Sequence, residues 1–405
     1  MAFDLTALLG FAHDQGASDL HISAGLPPML RIRGQIMRLE MPALSRDDAH
    51  AAIYDILQDE QKKIFEEFRD IDFAFEIPGL SRFRGNVMMQ SRGEAAVFRL
   101  VPTRIRTLEE LQMPPVLKTL AEKERGLVVV TGPTGSGKST TLAAMVNYVN
   151  ETRRGHILTV EDPVEFVHES KRCLVNQREV GSHTRSFASA LRASLREDPD
   201  VILVGELRDL ETTQLAISAA ETGHLVFATL HTNSAAKTID RIIDIFPSGQ
   251  QAQIRTMLSE SLEGVVAQTL LPSKDGKGRV AALEVLVGVP ALRNLIRENK
   301  TAQILSVIQT GANHGMISLD QHLRELVMQG RLSRQDAAVH ASNPSVFEQP
   351  GTSTAGTPPA PIVRSAAPPV NAQTAPGSAP TAPRVVPGVA MGPPDMPKKP
   401  GLFGR

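Results

Sequence analysis

A single cysteine, Cys173, no tryptophan and only two tyrosines occur in this chain of 405 residues. One thiol excludes an intramolecular disulfide and any CxxC…CxxC metal site, which fits the cytosol. With so few large aromatic side chains there is little to stack on nucleic-acid bases. The 43 basic and 44 acidic residues leave a formal net charge of −1, so no global field draws the chain to nucleic acid or anionic lipid. Apolar runs are four to six residues long, far short of the ~18 to 20 that span a bilayer. The opening MAFDLTALLGF lacks a basic leader region, and no export signal is expected. The length suggests two or three domains, and 41% apolar with 21% charged residues is ordinary for a soluble protein with substantial cores.

What the chain does contain is a phosphate loop. Gly132, Pro133, Thr134, Gly135, Ser136, Gly137, Lys138 and Ser139 fit G-x-x-x-x-G-K-[ST], and Thr140 follows. The apolar run Leu127-Val128-Val129-Val130 reads as a buried strand before it. Leu142, Met145, Val146 and Val149 recur at helical spacing after it. Glycines let successive N–H groups and a helix N-terminus face one anion, while Lys138 adds a point charge and Ser139 a hydroxyl for Mg²⁺. This stretch should hold a nucleoside triphosphate.

Upstream, an amphipathic helix is expected over Asp4 to Gln15, strands at Asp19–Ser23 and Met29–Gly34, and helix over Ser45 to Phe68. Period-2 alternation returns at Phe73, Phe75 and Ile77 and again from Phe83. With a turn at 91–94, Arg99 would oppose Asn86, leaving Arg84 and Arg99 on one face a side-chain repeat apart and Phe83, Val87, Phe98 and Leu100 on the other. Two prolines within 101–114, at 102 and 114, place a linker at 103–114, between a first domain over 1–102 and a second over 115–341.

In the second domain, strands at Ile157–Val160, Val201–Val204 and Leu225–Ala228 alternate with helical segments, the rhythm of a largely parallel sheet. Binding residues should gather at the strands' carboxyl ends. Glu161, Asp162 and Glu165 stand after the first, Glu206 after the second and His231 after the third. Carboxylates beside a triphosphate repel it unless a cation intervenes, and hydrolysis needs a group to orient water. Glu206 suits the metal side with Ser139, and Glu165 the water. His231 could donate to a γ-phosphate. His224 sits at the opposite end of the third strand, ~20 Å away at ~3.3 Å per residue, and must serve another contact.

These stretches together carry a resemblance. ASDLHISAGLPPMLRIRG, GPTGSGKSTT, ILTVEDPVEFVHES, CLVNQREV, PDVILVGELRD, ETGHLVFATLHTNSAAKTIDRI and PALRNLIRE, in that order over residues 3–341, resemble the type IV pilus retraction ATPases within the secretion ATPases. The resemblance implies a PAS-like α+β N-terminal domain, a RecA-like P-loop domain, and a hexameric ring with ATP and Mg²⁺ between subunits. Arg84 and Arg99 match arginines that reach nucleotide from the N-terminal domain. It further implies a cytoplasmic motor at the inner-membrane face, acting on a pilus platform protein alongside other pilus ATPases to depolymerise pilin, for twitching motility and DNA uptake. Two departures stand out. Leu292 replaces the usual Ile of the retraction signature, on a helix where Arg293 and Arg297 share a face at i, i+4. Gly205 stands where a generic Walker B acid would, so Mg²⁺ would be held through water.

Residues 342–405 carry 15 of the 28 prolines and should form an extended, mobile tail. An accessory retraction ATPase remains open from sequence. An assembly motor usually adds an N-terminal domain and a four-cysteine motif that this chain lacks, and a DNA-translocating ATPase conflicts with the charge and aromatic content.

Overall fold

The computed structural model describes residues 4–32, 34–101 and 104–347. The tail expectation beyond 347 lies outside the described residues, as does Arg33 of the expected second strand. The chain is a mixed α/β protein built on two sheets.

In chain order the first part runs α1 (Leu5–Asp14), β1 (Asp19–Ser23), β2 (Met29–Ile32), β3 (Gln35–Arg38), α2 (Arg46–Ile56), α3 (Asp59–Phe68), β4 (Asp70–Ile77), β5 (Ser81–Gln90) and β6 (Gly93–Val101). Its strands form an antiparallel sheet ordered β3-β2-β1-β6-β5-β4. β3 lies beyond the strands expected from sequence, its four residues all exposed at the sheet edge. The helix expected over 45–68 is two helices. Leu57 turns extended (ψ 133°) and buries its side chain, and Gln58 with Gln61 caps a fresh start. Phe65, Phe83, Val87 and Phe98 are fully buried in the core beneath the sheet, with Phe75 stacked 5.4 Å from Phe83.

The β5–β6 turn is tighter than expected. Gln90 pairs with Gly93 across two residues, so Arg84 lies directly opposite Arg99 rather than a repeat away. The register moved by two residues, which preserves which side chains share a face. The expected core face and the Arg84/Arg99 face are therefore both retained.

The second part runs α4 (Val116–Ala121), β7 (Gly126–Thr131), α5 (Lys138–Thr152), β8 (His156–Glu161), β9 (Leu174–Glu179), α6 (Phe187–Ser194), β10 (Val201–Val204), α7 (Leu210–Glu221), β11 (Leu225–Leu230), α8 (Ala235–Asp244), α9 (Ser248–Ser261), β12 (Leu262–Pro272), β13 (Arg279–Val287), α10 (Pro290–Arg297), α11 (Ile304–Thr310), α12 (Leu319–Met328) and α13 (Arg334–His340). The sheet order is β13-β12-β7-β11-β10-β8-β9, and only β13 runs antiparallel to its neighbour. Every residue of β7, β10 and β11 is buried, as expected of parallel strands covered on both faces. This core takes in Leu108, so it begins inside the stretch expected as linker. A satellite core of Leu271, Val280, Leu323, Leu326 and Phe347 extends past residue 341. Cys173 is buried, with its thiol 3.1 Å from the Arg153 carbonyl oxygen, and burial pushes its pKa up.

Truncating Phe83 removes a ring buried on all sides, so Phe83→Ala should lower stability by about 3–5 kcal/mol. The shift in the urea midpoint, at unchanged slope, measures it.

Candidate functional site

Parallel register brings the carboxyl ends of β7, β8, β10 and β11 to one edge of the sheet, and each delivers part of the site. After β7 the loop turns through Gly132, Gly135 and Gly137, whose φ angles of 148°, 79° and 85° lie where other L-residues are strained. Ser136 N donates to the Pro133 carbonyl at 3.1 Å, and α5 begins at Lys138. Lys138 is only 9% exposed, and its Nζ donates to the Gly132 and Pro133 carbonyls at 2.9 and 3.2 Å. Burial pushes its pKa down, while the charges of Glu206 and Glu165 oppose that shift. Both carboxylates expected to serve catalysis thus act on the loop lysine. Ser139 and Thr140 are partly exposed on the first turn of α5, and Pro133, Thr134 and Gly135 are exposed at the loop's tip.

The loop is braced from beneath by a residue that sequence reading missed. Gln268, 3% exposed on β12, donates from Nε2 to the Ser136 carbonyl at 2.6 Å and accepts from Thr141 Oγ1 at 2.7 Å. A lone amide in the apolar run of β12 was the available signal. Thr131 Oγ1 lies 2.8 Å from both the carbonyl and the hydroxyl oxygen of Thr232 and accepts from Thr232 N at 2.9 Å. The loop's entry is thereby fastened to the residue after His231.

Glu206, after β10, is not a free acid. Its Oε2 takes Arg208 Nε at 2.8 Å and its Oε1 lies 3.1 Å from His231 Nε2. His231 therefore meets a carboxylate here, while Arg208 also approaches Asp162 at 4.0 Å. Glu161, at the end of β8, accepts from Thr159 Oγ1 at 2.7 Å and Gln177 Nε2 at 3.3 Å, and burial pushes its pKa up. Glu165 is exposed, its backbone N donating to Glu161 Oε2 at 3.4 Å. At the far end of β11, the His224 ring and backbone N meet the Ala219 carbonyl at 2.9 and 3.1 Å, so His224 caps α7 and stands apart from the site.

Arg99 is exposed and anchored by Asp19, which is 3% exposed and accepts from Arg99 Nε at 2.8 Å. Arg84 lines a cleft of about 820 Å³ together with Asp162 and Glu179 of the same chain. Arg293 and Arg297 part company. Arg293 bonds Glu263 at 2.8 Å and the Ser259 carbonyl at 3.0 Å, tying α10 to the end of α9, whereas Arg297 is exposed and, among the described residues, bonds Asn294 alone.

Two observations fit phosphate to the loop. Among the described residues Ser136 Oγ is buried without a hydrogen-bond partner, and a Cβ at Gly132 would lie 2.2 Å from the Gln268 carbonyl oxygen, so the cradle admits backbone only. A cavity of about 650 Å³ opens beside Gly137 and Thr140, bordered by Arg106, Leu111, Met113 and Leu270, room for a nucleoside beyond the phosphates. Among the described residues no cluster of three or more His, Cys, Asp or Glu side chains could bind a metal unaided. A divalent cation here would be shared between Ser139, a carboxylate, water and phosphate oxygens.

This fold and site define a phosphate-loop ATPase. A sequence profile for type II/IV secretion system proteins matches residues 3–341, and the chain belongs to that family. It is 60% identical over 344 residues to the type IV pilus retraction ATPase PilT of Pseudomonas aeruginosa, covering 85% of this chain and 100% of that protein. A twitching motility protein of Neisseria gonorrhoeae is 52% identical over 343 residues, covering 85% and 92%. The crystal structure of the pilus retraction motor PilT with bound ADP superposes with a TM-score of 0.80 at 47% identity, covering 85% and 98%.

Replacing Gln268 with Leu leaves the Ser136 carbonyl and Thr141 hydroxyl unpaired. Gln268→Leu should cost about 2–4 kcal/mol of stability and weaken ADP binding by about tenfold, read by urea denaturation and a fluorescent-ADP titration. His168 offers a pH test. Burial, aided by Lys171, holds its pKa down at about 4 against 6.5 when unfolded. Between those values the unfolded chain carries a proton the folded chain refuses, so stability falls as pH drops through that window, by up to about 3 kcal/mol. Melting temperatures from pH 7 to 4.5 should fall less steeply for His168→Gln.

Proposed function

We propose that this chain is the ATP-hydrolysing motor that powers type IV pilus retraction. The observation that carries hydrolysis is the phosphate loop after β7, with Lys138 Nζ held by the Gly132 and Pro133 carbonyls and with Glu165 and Glu206 following β8 and β10 at the same edge of the sheet. Identity along the whole length of a pilus retraction ATPase supports retraction as the work performed. In this reading residues 1–102 form a PAS-like unit, and a RecA-like ATPase unit starts where the second core does, at Leu108. Six chains close a ring on the cytoplasmic face of the inner membrane and drive a pilus platform protein.

Within the site, loop amides and Ser136 Oγ receive the phosphates, and Lys138 exchanges its two carbonyl partners for phosphate oxygens. Ser139 and Glu206 would hold Mg²⁺, which neutralises phosphate charge when bound. Glu165, exposed after β8, orients the attacking water. Arg84 and Arg99 balance charge on the transferring group, with Asp19 fixing the Arg99 guanidinium. His231 passes between Glu206 and the γ-phosphate, which links the presence of that phosphate to β11 and Thr232. Arg293 serves packing, and exposed Arg297 is the member of the signature free to meet the pilus machinery.

Lys138→Ala should abolish turnover with the fold intact. Glu206→Gln should keep ATP binding and stop hydrolysis, whereas normal hydrolysis would move the role to Glu165. Arg84→Ala and Arg99→Ala should each lower turnover by at least about tenfold. In the cell, deleting the gene should leave excess pili and no surface motility, and bald cells would instead mark an assembly motor.

A further inference from the structure

Glu179, the last residue of β9, is 5% exposed and joins the two sheets of the chain. Its Oε2 accepts from Arg82 Nη2 at 2.7 Å and from the Val164 backbone N at 3.0 Å, while its Oε1 accepts from Ser182 Oγ at 3.1 Å. Arg82 belongs to β5 of the N-terminal sheet and is 19% exposed. Its Nε is buried without a partner, and among the described residues Glu179 is the carboxylate within ion-pair distance. Val164 immediately precedes Glu165. One carboxylate oxygen therefore connects the N-terminal sheet to the peptide that carries the water-orienting glutamate.

The same strand grips the rest of that segment. Gln177, two residues back, accepts from His168 N at 2.7 Å and donates to the Phe166 carbonyl at 2.8 Å and to Glu161 Oε1 at 3.3 Å. Residues 161 to 168 are thus held at several points by two side chains of β9, and only one of these is tied to the N-terminal sheet. A largely dehydrated ion pair is costly to separate, because either partner alone is left charged in a poorly polarisable setting. Such a pair stays closed or breaks outright, and breaking it alters the acceptor that fixes Val164.

We propose that Arg82 and Glu179 form a latch through which the position of the N-terminal sheet sets the position of Glu165. The pair acts as positioning residues for hydrolysis and touches no substrate. When the sheet and the ATPase core are in register the latch is closed and the segment carrying Glu165 is held by Val164 N on Glu179. Displacing the sheet opens the latch and frees the segment around Glu165, so turnover follows domain position. This rests on the assignment of Glu165 and Lys138 to hydrolysis given above.

The test uses the full chain with Arg82→Gln, Glu179→Gln, the double variant and Arg82→Lys. Glu179→Gln keeps the shape and removes the charge that pairs with Arg82, so it carries the test should Arg82→Gln fail to fold. Three quantities are read: kcat, affinity for methylanthraniloyl-ADP, and nucleotide-free amide exchange in residues 162–168. Each single Gln variant should lower kcat at least fivefold, leave ADP affinity within twofold, and raise exchange in 162–168 at least fivefold. The double variant should be no worse than the poorer single one, and Arg82→Lys should stay within twofold of wild type. Unchanged exchange in 162–168 overturns the latch, as do kcat losses that multiply in the double variant. If the unaltered chain fails to hydrolyse ATP, the functional reading falls, while the exchange arm still decides whether Arg82 governs the segment.

Discussion

A Cβ at Gly137 would lie 2.9 Å from the Gln268 amide nitrogen, and at Gly132 a side chain would meet the Gln268 carbonyl at closer range still. The phosphate loop therefore exists only as bare backbone laid against β12, and this steric constraint governs what surrounds it. Because the loop is pinned by Gln268 below and by Thr232 behind, its amides point where α5 starts. Its lysine is drawn into low dielectric, which makes the charges of Glu165 and Glu206 felt. The loop and the start of α5 are thus set by one contact with β12.

Around that contact the carboxylates divide by environment. Glu161 is held by Thr159 and Gln177 with its pKa raised, Glu206 is shared by Arg208 and His231, and Glu165 faces solvent. Three acids near one anion site would oppose each other if all were free. Here each has a different set of partners, which lets them carry different duties.

Much of this was legible in the sequence for reasons that can be named. The glycine spacing, the flanking apolar strand and the helical repeat after it leave a phosphate loop few alternatives, and buried parallel strands announce themselves as short apolar runs. The β5–β6 hairpin was read with a turn two residues too long, yet its faces came out right because a two-residue slip preserves parity. Other features left no local mark. β9 is polar at four of its six residues because it lies at the sheet edge and spends its side chains on the acidic segment. The break between α2 and α3 contains neither glycine nor proline and is made by burying Leu57. Long-range partners such as Arg82 with Glu179, or Asp19 with Arg99, come from tertiary packing that no periodicity encodes.

The buried thiol has a practical consequence. Cys173 is 3% exposed with its pKa raised by burial, so little thiolate meets an alkylating probe at neutral pH. A cysteine placed at an exposed position such as Ser91, at the tip of the β5–β6 hairpin, becomes the reactive one without the native residue being removed. Maleimide dyes can then be attached at one defined point per chain, and the surroundings of the labelled hairpin can be followed while nucleotide is turned over.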